Sequence, residues 1–96
     1  MMKIWLDDLR LAPTGYAAVQ SVNQAIELIK KAEEGGIGIE VLDLDHDLGD
    51  FCNDGGDAIK LLDWLVERGT FYPVKLHTAN PVGRSNMERM IARYWK

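Results

Sequence analysis

The stretch that decides the fold is Val41-Leu42-Asp43-Leu44-Asp45-His46-Asp47-Leu48-Gly49-Asp50. It begins with apolar, β-favouring side chains and ends with acids, a histidine and a glycine. This profile is typical of a buried strand that opens into a site, because ligands of open α/β sheets bind just beyond the carboxyl ends of the strands. The stretch therefore predicts a parallel sheet with a functional site at its carboxyl edge.

Two other segments of the chain repeat this profile. Ile4-Trp5-Leu6 runs into Asp7-Asp8, and Val74-Lys75-Leu76 runs into His77-Thr78-Ala79-Asn80. If the three strands are parallel neighbours, their acids, histidines, threonine and asparagine converge on one edge of the sheet. The functional hypothesis rests on that convergence.

The remaining pattern predicts an alternation of strands and helices. Leu9 to Gly15 contains a proline and is too short for a full helix. Two capping-box patterns, Ser21 with Gln24 and Ser85 with Glu88, mark helix starts. The predicted strands are 3–6, about 16–20, 39–45 and 73–78, and the predicted helices run from 21 to the glycines at 35–36, over about 57–68, and from 85 onward. This order predicts an α/β fold, a small doubly wound parallel sheet of about four strands and three main helices.

Length and composition place the chain among small globular proteins. Its 96 residues predict a single domain, 1–96, and the 47% hydrophobic and 27% charged residues are ordinary for one. The net charge of −4 and the lack of a basic cluster argue against a duplex DNA partner. Cys52 is alone, and no apolar run approaches the ~20 residues that span a bilayer. We therefore expect a cytoplasmic protein with no membrane partner.

The acids at the predicted strand ends are candidates for a divalent metal site. Asp7, Asp8 and Asp45 together could supply the few carboxylate oxygens that Mg²⁺ takes in proteins, although adjacent acids can also simply be a solvated turn. The alternating acids of 43–47 resemble a calcium loop only superficially, since Gly49 comes one place too late. Asp43 points to the same side as Asp45, and we expect it to be buried beside a hydrogen-bonding partner.

The same edge carries candidates for proton transfer and for phosphate binding. The only two histidines, His46 and His77, each fall at a strand end beside acids, which favours general acid–base chemistry over an incidental position. Zinc is a weaker interpretation because the spacing fits no zinc signature. Orphan N–H groups at the start of the last helix could bind a phosphate. The candidate phosphate ligands are Arg10, Thr78, Asn80 and Arg84, the last in the segment Gly83-Arg84-Ser85.

The strand-end pattern resembles the receiver domains of two-component signalling. The resemblance rests on Asp7-Asp8, Asp45 with Leu48 three residues later, the glycines at 55–56, and Thr78-Ala79. In receivers the acids hold Mg²⁺, the strand-end aspartate accepts a phosphoryl group and the Ser/Thr contacts it. The resemblance implies a truncated receiver-like or flavodoxin-like fold, since this chain leaves little room for a first helix and lacks the fifth strand with its lysine.

Three longer motifs resemble a narrower family, the cyclic-phosphate processing receiver domains. They are Trp5-Leu6-Asp7-Asp8-x-Arg10-x-x-Pro13-x-Gly15-Tyr16, Leu44-Asp45-His46-Asp47-Leu48-Gly49 and His77-Thr78-Ala79-Asn80-Pro81-x-Gly83. Together they span nearly the whole chain. The resemblance implies processing of a cyclic phosphate on a nucleotide or an RNA end.

The leading hypothesis is therefore a phosphoesterase that depends on Mg²⁺ or Mn²⁺ and acts on a small cyclic phosphate. The metal ligands would be Asp7, Asp8 and Asp45, and His77 and His46 would be the acid and base, with Asp47 orienting one of them. One alternative is a signalling module with Asp45 as phosphoacceptor. Another is a non-catalytic domain that senses a nucleotide, so whether the chain is an enzyme stays open.

The predicted topology also has a consequence for assembly. With receiver strand order, right-handed crossovers put all three helices on one face of the sheet. The other face would be exposed unless the 9–20 segment or the last helix covers it. A homodimer is the predicted way to cover such a face.

Overall fold

The computed structural model describes residues 1–95, which form four strands, three α-helices and a short 3₁₀ helix. Strands β1 to β4 are Met2–Leu6, Tyr16–Val19, Ile39–Leu44 and Val74–Leu76. Helices α1 to α3 are Val22–Glu34, Ile59–Arg68 and Pro81–Tyr94, and the 3₁₀ helix is Gly49–Asn53. No helix in this part of the chain combines the length and the apolar character needed to cross a membrane.

The four strands form one parallel sheet in the order β2-β1-β3-β4. Helix α1 follows β2 and α2 follows β3, and both crossovers run in the same direction along the sheet, so right-handed connections place them on the same side. Side chains of all three helices enter a single core. The predicted α/β class, strand order and shared helix face are therefore confirmed.

The sheet has two unlike faces because successive residues of a strand point to opposite sides. The covered face, which packs against the helices, consists of fully buried side chains: Ile4, Leu6, Leu42 and Leu44. The open face carries the alternate residues of the same strands: Lys3, Trp5, Val41, Asp43 and Lys75.

The segment after β1 folds over part of the open face. The indole Nε1 of Trp5 donates to the carbonyl of Arg10 at 3.2 Å, and its ring meets that of Tyr16 edge-on at 5.9 Å. The 9–20 segment therefore covers part of the open face, which is one of the two predicted alternatives to a dimer. The homodimer stays a prediction.

Helix α1 begins where the capping pattern predicts. The Ser21 hydroxyl accepts from the backbone N–H of Gln24 at 3.1 Å. The glutamine side chain, however, accepts from the N–H of Gln20 rather than from that of Ser21, so the return bond of the capping box falls one residue earlier.

Helix α3 begins at Pro81, four residues before the predicted start, so the capping box at Ser85 is wrong. Asn80 is the N-cap, and its side-chain oxygen accepts from the N–H groups of Val82 and Gly83, both at 3.0 Å. Proline at the first helical position has a suitable φ and lacks an N–H that would go unbonded. Ser85 therefore lies inside the helix, and the helix N-terminus sits next to Asn80.

Candidate metal and phosphate site

A cleft of about 260 Å³ lies at the carboxyl edge of the sheet. The ends of β1, β3 and β4 supply its walls, which is the convergence that the sequence predicts. The lining residues are Asp8, Leu9, Arg10, Asp45, Asp47, Gly49, Thr78, Ala79 and Asn80. Six of the ten predicted site residues therefore border one space.

Three acids are clustered at this edge. One carboxylate oxygen from each of Asp7, Asp8 and Asp45 lies within 4.8 Å of the others. Asp7 and Asp45 are only 4% and 9% exposed, so the cluster sits in the body of the domain. All of the ligand atoms are carboxylate oxygens, the type that Mg²⁺ and Mn²⁺ prefer.

Asp7 is held rigidly by its neighbours. Its Oδ1 accepts from the backbone N–H groups of Leu9 and Arg10 at 2.8 and 2.9 Å, and its Oδ2 lies 2.9 Å from Nε2 of His77. Burial alone would raise the pKa of Asp7, but these backbone and histidine contacts outweigh it and hold the pKa below its usual value. The residue is thus a fixed, ionised carboxylate at neutral pH.

Asp8 and Asp45 have fewer partners than Asp7. Asp45 Oδ1 accepts from the N–H of His46 at 2.8 Å, and no hydrogen bond to the Asp8 carboxylate is found within residues 1–95. Gly49 leaves room for Asp8, because a Cβ there would lie 2.6 Å from Oδ2, and its φ of 55° also favours glycine. The free carboxylate oxygens make the three acids a chemically suitable set for a hard divalent cation.

A second polar group joins His46 to Asp47 and Asn80, of which the last two line the cleft. Nδ1 of His46 lies 2.8 Å from Oδ1 of Asp47, and the Asn80 amide donates to both oxygens of Asp47 at 3.1–3.2 Å. The His46 contact is the main cause that lowers the pKa of Asp47, and Asn80 adds to it against partial desolvation. Gly83 lets the His46 ring approach α3, since a Cβ there would meet the ring.

Thr78 and Arg10 bring hydrogen-bond donors to the cleft. The Thr78 side chain is buried, and its Oγ1 accepts from the N–H of Asn80 at 3.1 Å, which leaves its own proton for another acceptor. Arg10 donates from Nη1 to the carbonyl of His77 at 2.7 Å, and about half of its side chain is exposed. Its other N–H groups can therefore face an anion.

His77 does not line the cleft. Its Nδ1 lies 2.7 Å from Oδ1 of Asp43 and its Nε2 lies 2.9 Å from Oδ2 of Asp7, so both ring nitrogens already have carboxylate partners. The expectation that Asp43 is buried with a partner is confirmed. The acid–base roles of His46 and His77 both stay predictions.

Arg84 also lies outside the cleft. Its Nη2 donates to the carbonyls of Leu76 and Thr78 at 3.2 and 3.5 Å, along the outer edge of β4. It lines a separate groove of about 350 Å³ with Val74 and Glu88. The reason is the early start of α3, which makes Arg84 the fourth residue of the helix instead of part of its entry loop. Its predicted phosphate contact therefore has no support from this placement.

Several residues at the site did not emerge from the sequence as functional. Leu9 and Gly49 line the cleft, and Asp57 has a ligand atom within 4.8 Å of those of His46 and Asp47. Trp5 also contributes, because its ring stacks on His77 with centroids 3.8 Å apart and planes 4° apart. Strand alternation is the signal that could have linked Trp5 with Asp43, since they are paired across β1 and β3.

The comparison with protein families gives one match. The family model described as "Cyclic-phosphate processing Receiver domain" matches residues 2–93, nearly the whole chain. No curated protein and no solved structure matches the chain.

Proposed function

The chain belongs to the family of cyclic-phosphate processing receiver domains, and we propose that it is a metal-dependent phosphoesterase that opens a cyclic phosphate. One observation carries the proposal. Asp8 and Asp45, two of the three clustered acids, line the same cleft as the donors Arg10, Thr78 and Asn80. Such a cleft combines ligands for a cation with donors for an anion, and a metal-bound phosphate requires both.

Asp7, Asp8 and Asp45 would hold Mg²⁺ or Mn²⁺. The ion would supply charge stabilisation for the phosphate and an activated water. Asp7 fits this role because its neighbours fix its orientation, and Asp8 fits because its oxygens are free within the described chain. Holding ligands in place before the ion arrives reduces the ordering that binding requires.

The donors that line the cleft would orient the phosphate. Arg10 offers guanidinium N–H groups, and Thr78 offers a buried hydroxyl proton. Asn80 has less to give, because its oxygen caps α3 and its amide contacts Asp47. Its main contribution is therefore to fix the cleft wall to the start of the helix.

The Asp47–His46 pair would carry out the proton transfers. Hydrolysis of a cyclic phosphodiester forms one P–O bond to water and breaks one ring P–O bond, so a proton leaves the water and another joins the departing oxygen. Asp47 is ionised at neutral pH and faces the cleft, so it can accept the first proton. His46, bonded to it at Nδ1, can take part in returning a proton to the departing oxygen, and no net proton is consumed.

The size and charge of the cleft favour a mononucleotide over an RNA end. The volume of about 260 Å³ suits a ligand of small size. Residues 46–57, of which Asp47 and Gly49 line one wall of the cleft, contain four aspartates and no lysine or arginine, and the chain has a net charge of −4. A single phosphate can be neutralised by the bound cation, whereas the further phosphates of RNA would meet this acidic wall.

The phosphoacceptor alternative also has an observation in its favour. Asp45 lines the cleft with Thr78, so a phosphoryl group on its carboxylate could reach the threonine hydroxyl. The two functions differ in the product that accumulates. A phosphoacceptor keeps the phosphoryl group on Asp45, whereas a phosphoesterase releases a monoester.

A metal-dependent screen tests the proposal. Purified protein with Mg²⁺ or Mn²⁺ is given 2′,3′-cyclic nucleotides, 3′,5′-cyclic nucleotides and RNA with a cyclic end. We expect turnover of a cyclic mononucleotide that falls ~10²–10⁴-fold in Asp47→Asn, the usual contribution of a general base. The matched control is Asp50→Asn, an exposed acid of the same loop that does not line the cleft.

Two outcomes of the screen would contradict the proposal. Stable labelling of Asp45 by acetyl phosphate without turnover would identify a phosphoacceptor. Binding of a cyclic nucleotide without either reaction would identify a sensor.

A further inference from the structure

A chain of buried contacts links the open face of the sheet to the acid cluster. It runs from Asp43 through the ring of His77 to Asp7, with heavy-atom distances of 2.7 and 2.9 Å. The side chains are 13%, 15% and 1% exposed, respectively. The ring is therefore held from both ends.

Two more groups fix the ring in its plane. The indole of Trp5 stacks on it at 3.8 Å and 4°, and the same indole donates through Nε1 to the carbonyl of Arg10. The guanidinium of Arg10 in turn donates to the carbonyl of His77. The loop after β1 and the end of β4 are thus tied together around a single imidazole.

Asp7 is the residue that this arrangement orients. Its Oδ1 is held by two backbone N–H groups, and its Oδ2 by His77. A carboxylate fixed through both oxygens can turn only if one of these contacts breaks. The orientation of the Asp7 carboxylate within the cluster that it forms with Asp8 and Asp45 therefore depends on His77.

We infer that His77 is a positioning residue for the metal site, acting on Asp7 under the control of Asp43 and Trp5, and is not the acid or base of the reaction. The inference rests on the proposed function, because it assumes that Asp7 is a metal ligand. Groups that hydrogen-bond to metal ligands commonly change metal affinity by ~10–100-fold when they are removed. The same contacts could instead serve only the stability of the fold, and the two roles make different predictions.

The test measures Mn²⁺ affinity by calorimetry and unfolding by denaturant on the same set of proteins. The variants are His77→Gln and Asp43→Asn, of which the second keeps the side-chain size and does not touch the acid cluster. The control is Lys75→Gln, which alters an exposed side chain of the open face next to Asp43. We expect both variants to weaken Mn²⁺ binding ~10–100-fold and the control to bind like the wild type.

The outcomes separate the inference from the proposed function. If the wild type binds no Mn²⁺, the metal site itself is wrong. If the wild type binds and the folded variants bind equally well while unfolding more easily, His77 has only a structural role and the inference is overturned. Should His77→Gln fail to fold, Asp43→Asn alone decides between these results.

Discussion

The two faces of the sheet are built from alternating residues of the same strands but have different chemistry. The covered face of β1 and β3 presents four apolar, fully buried side chains, Ile4, Leu6, Leu42 and Leu44. The open face places Trp5, Asp43 and Lys3 on those strands, and these side chains pair with aromatic and charged neighbours. One side of each strand supplies stability, and the other carries side chains that connect to the site. Substitutions on the two faces should therefore affect different measurements.

The largest expected effect on folding comes from the covered face. Leu44→Ala removes a fully buried side chain between the sheet and the helices, and we expect the free energy of unfolding to fall by ~2–5 kcal/mol. Denaturant titration measures this change. The Mn²⁺ affinity of the folded protein should stay the same. A loss of affinity equal to that of His77→Gln would contradict the separate roles of the two faces.

A smaller effect is expected in the helix layer, where Glu33 bonds to Arg68 at 2.7 Å and to the Tyr72 hydroxyl. Arg68 first and Tyr72 second lower the pKa of Glu33 despite its partial burial. Glu33→Gln should cost ~1–2 kcal/mol at neutral pH, somewhat below the usual range for charged hydrogen bonds because both ionic side chains are partly exposed.

The pH dependence of this effect has a definite sign. Since the folded pKa of Glu33 is lowered, its contribution is fully present above its unfolded pKa and is lost as the pH falls through the folded pKa. The difference in unfolding free energy between the wild type and Glu33→Gln should therefore shrink in acid. A difference that stays constant down to pH 2 would show that the carboxylate is not the source of the stability.

Trp5→Leu should modestly lower both the free energy of unfolding and the Mn²⁺ affinity. It removes the stack on His77 and the hydrogen bond to Arg10, and we expect ~1 kcal/mol of lost stability from the stacking. If the open face leads to the metal site, Mn²⁺ affinity should also fall several-fold. Trp5→Phe, which keeps an aromatic ring, should recover most of the affinity, and no recovery would argue against stacking as the cause.

The smallest effect is expected for the rim of the open face. Lys3 pairs with Glu40 at 3.7 Å, and the two side chains are 41% and 50% exposed. Lys3→Gln should change the unfolding free energy by less than ~0.5 kcal/mol, because exposed ion pairs contribute little. A larger loss in denaturant titration would mean that this face is covered in solution, as the predicted homodimer requires, and light scattering would then show the dimer.

The sequence predicts most of the fold because its periodic signals agree with each other. The apolar run before Asp45 and the glycine after α2 both mark boundaries that the structure keeps. The predicted start of α3 is wrong because the helix is capped by Asn80 and not by Ser85. The combination of Asn80 and Pro81 is the stronger start, since it supplies both the cap and a residue without an N–H.

The sequence predicts which edge of the sheet carries the candidate site, but not the direction in which each side chain points. Strand ends place Asp8, Asp45 and Thr78 near each other whatever the side-chain geometry. Whether His77 turns into the cleft or back over the sheet depends on Asp43 of β3, the strand between β1 and β4, and no local pattern contains that contact. Long-range hydrogen bonds of this kind need the assembled structure.

The central claim is that the acids at the strand ends form one divalent metal site. Calorimetric titration of Mn²⁺ into the wild type, Asp45→Asn and the control Asp50→Asn tests it most directly. We predict saturable binding of one ion by the wild type and by Asp50→Asn, and no measurable binding by folded Asp45→Asn. Equal affinity in wild type and Asp45→Asn would contradict the claim.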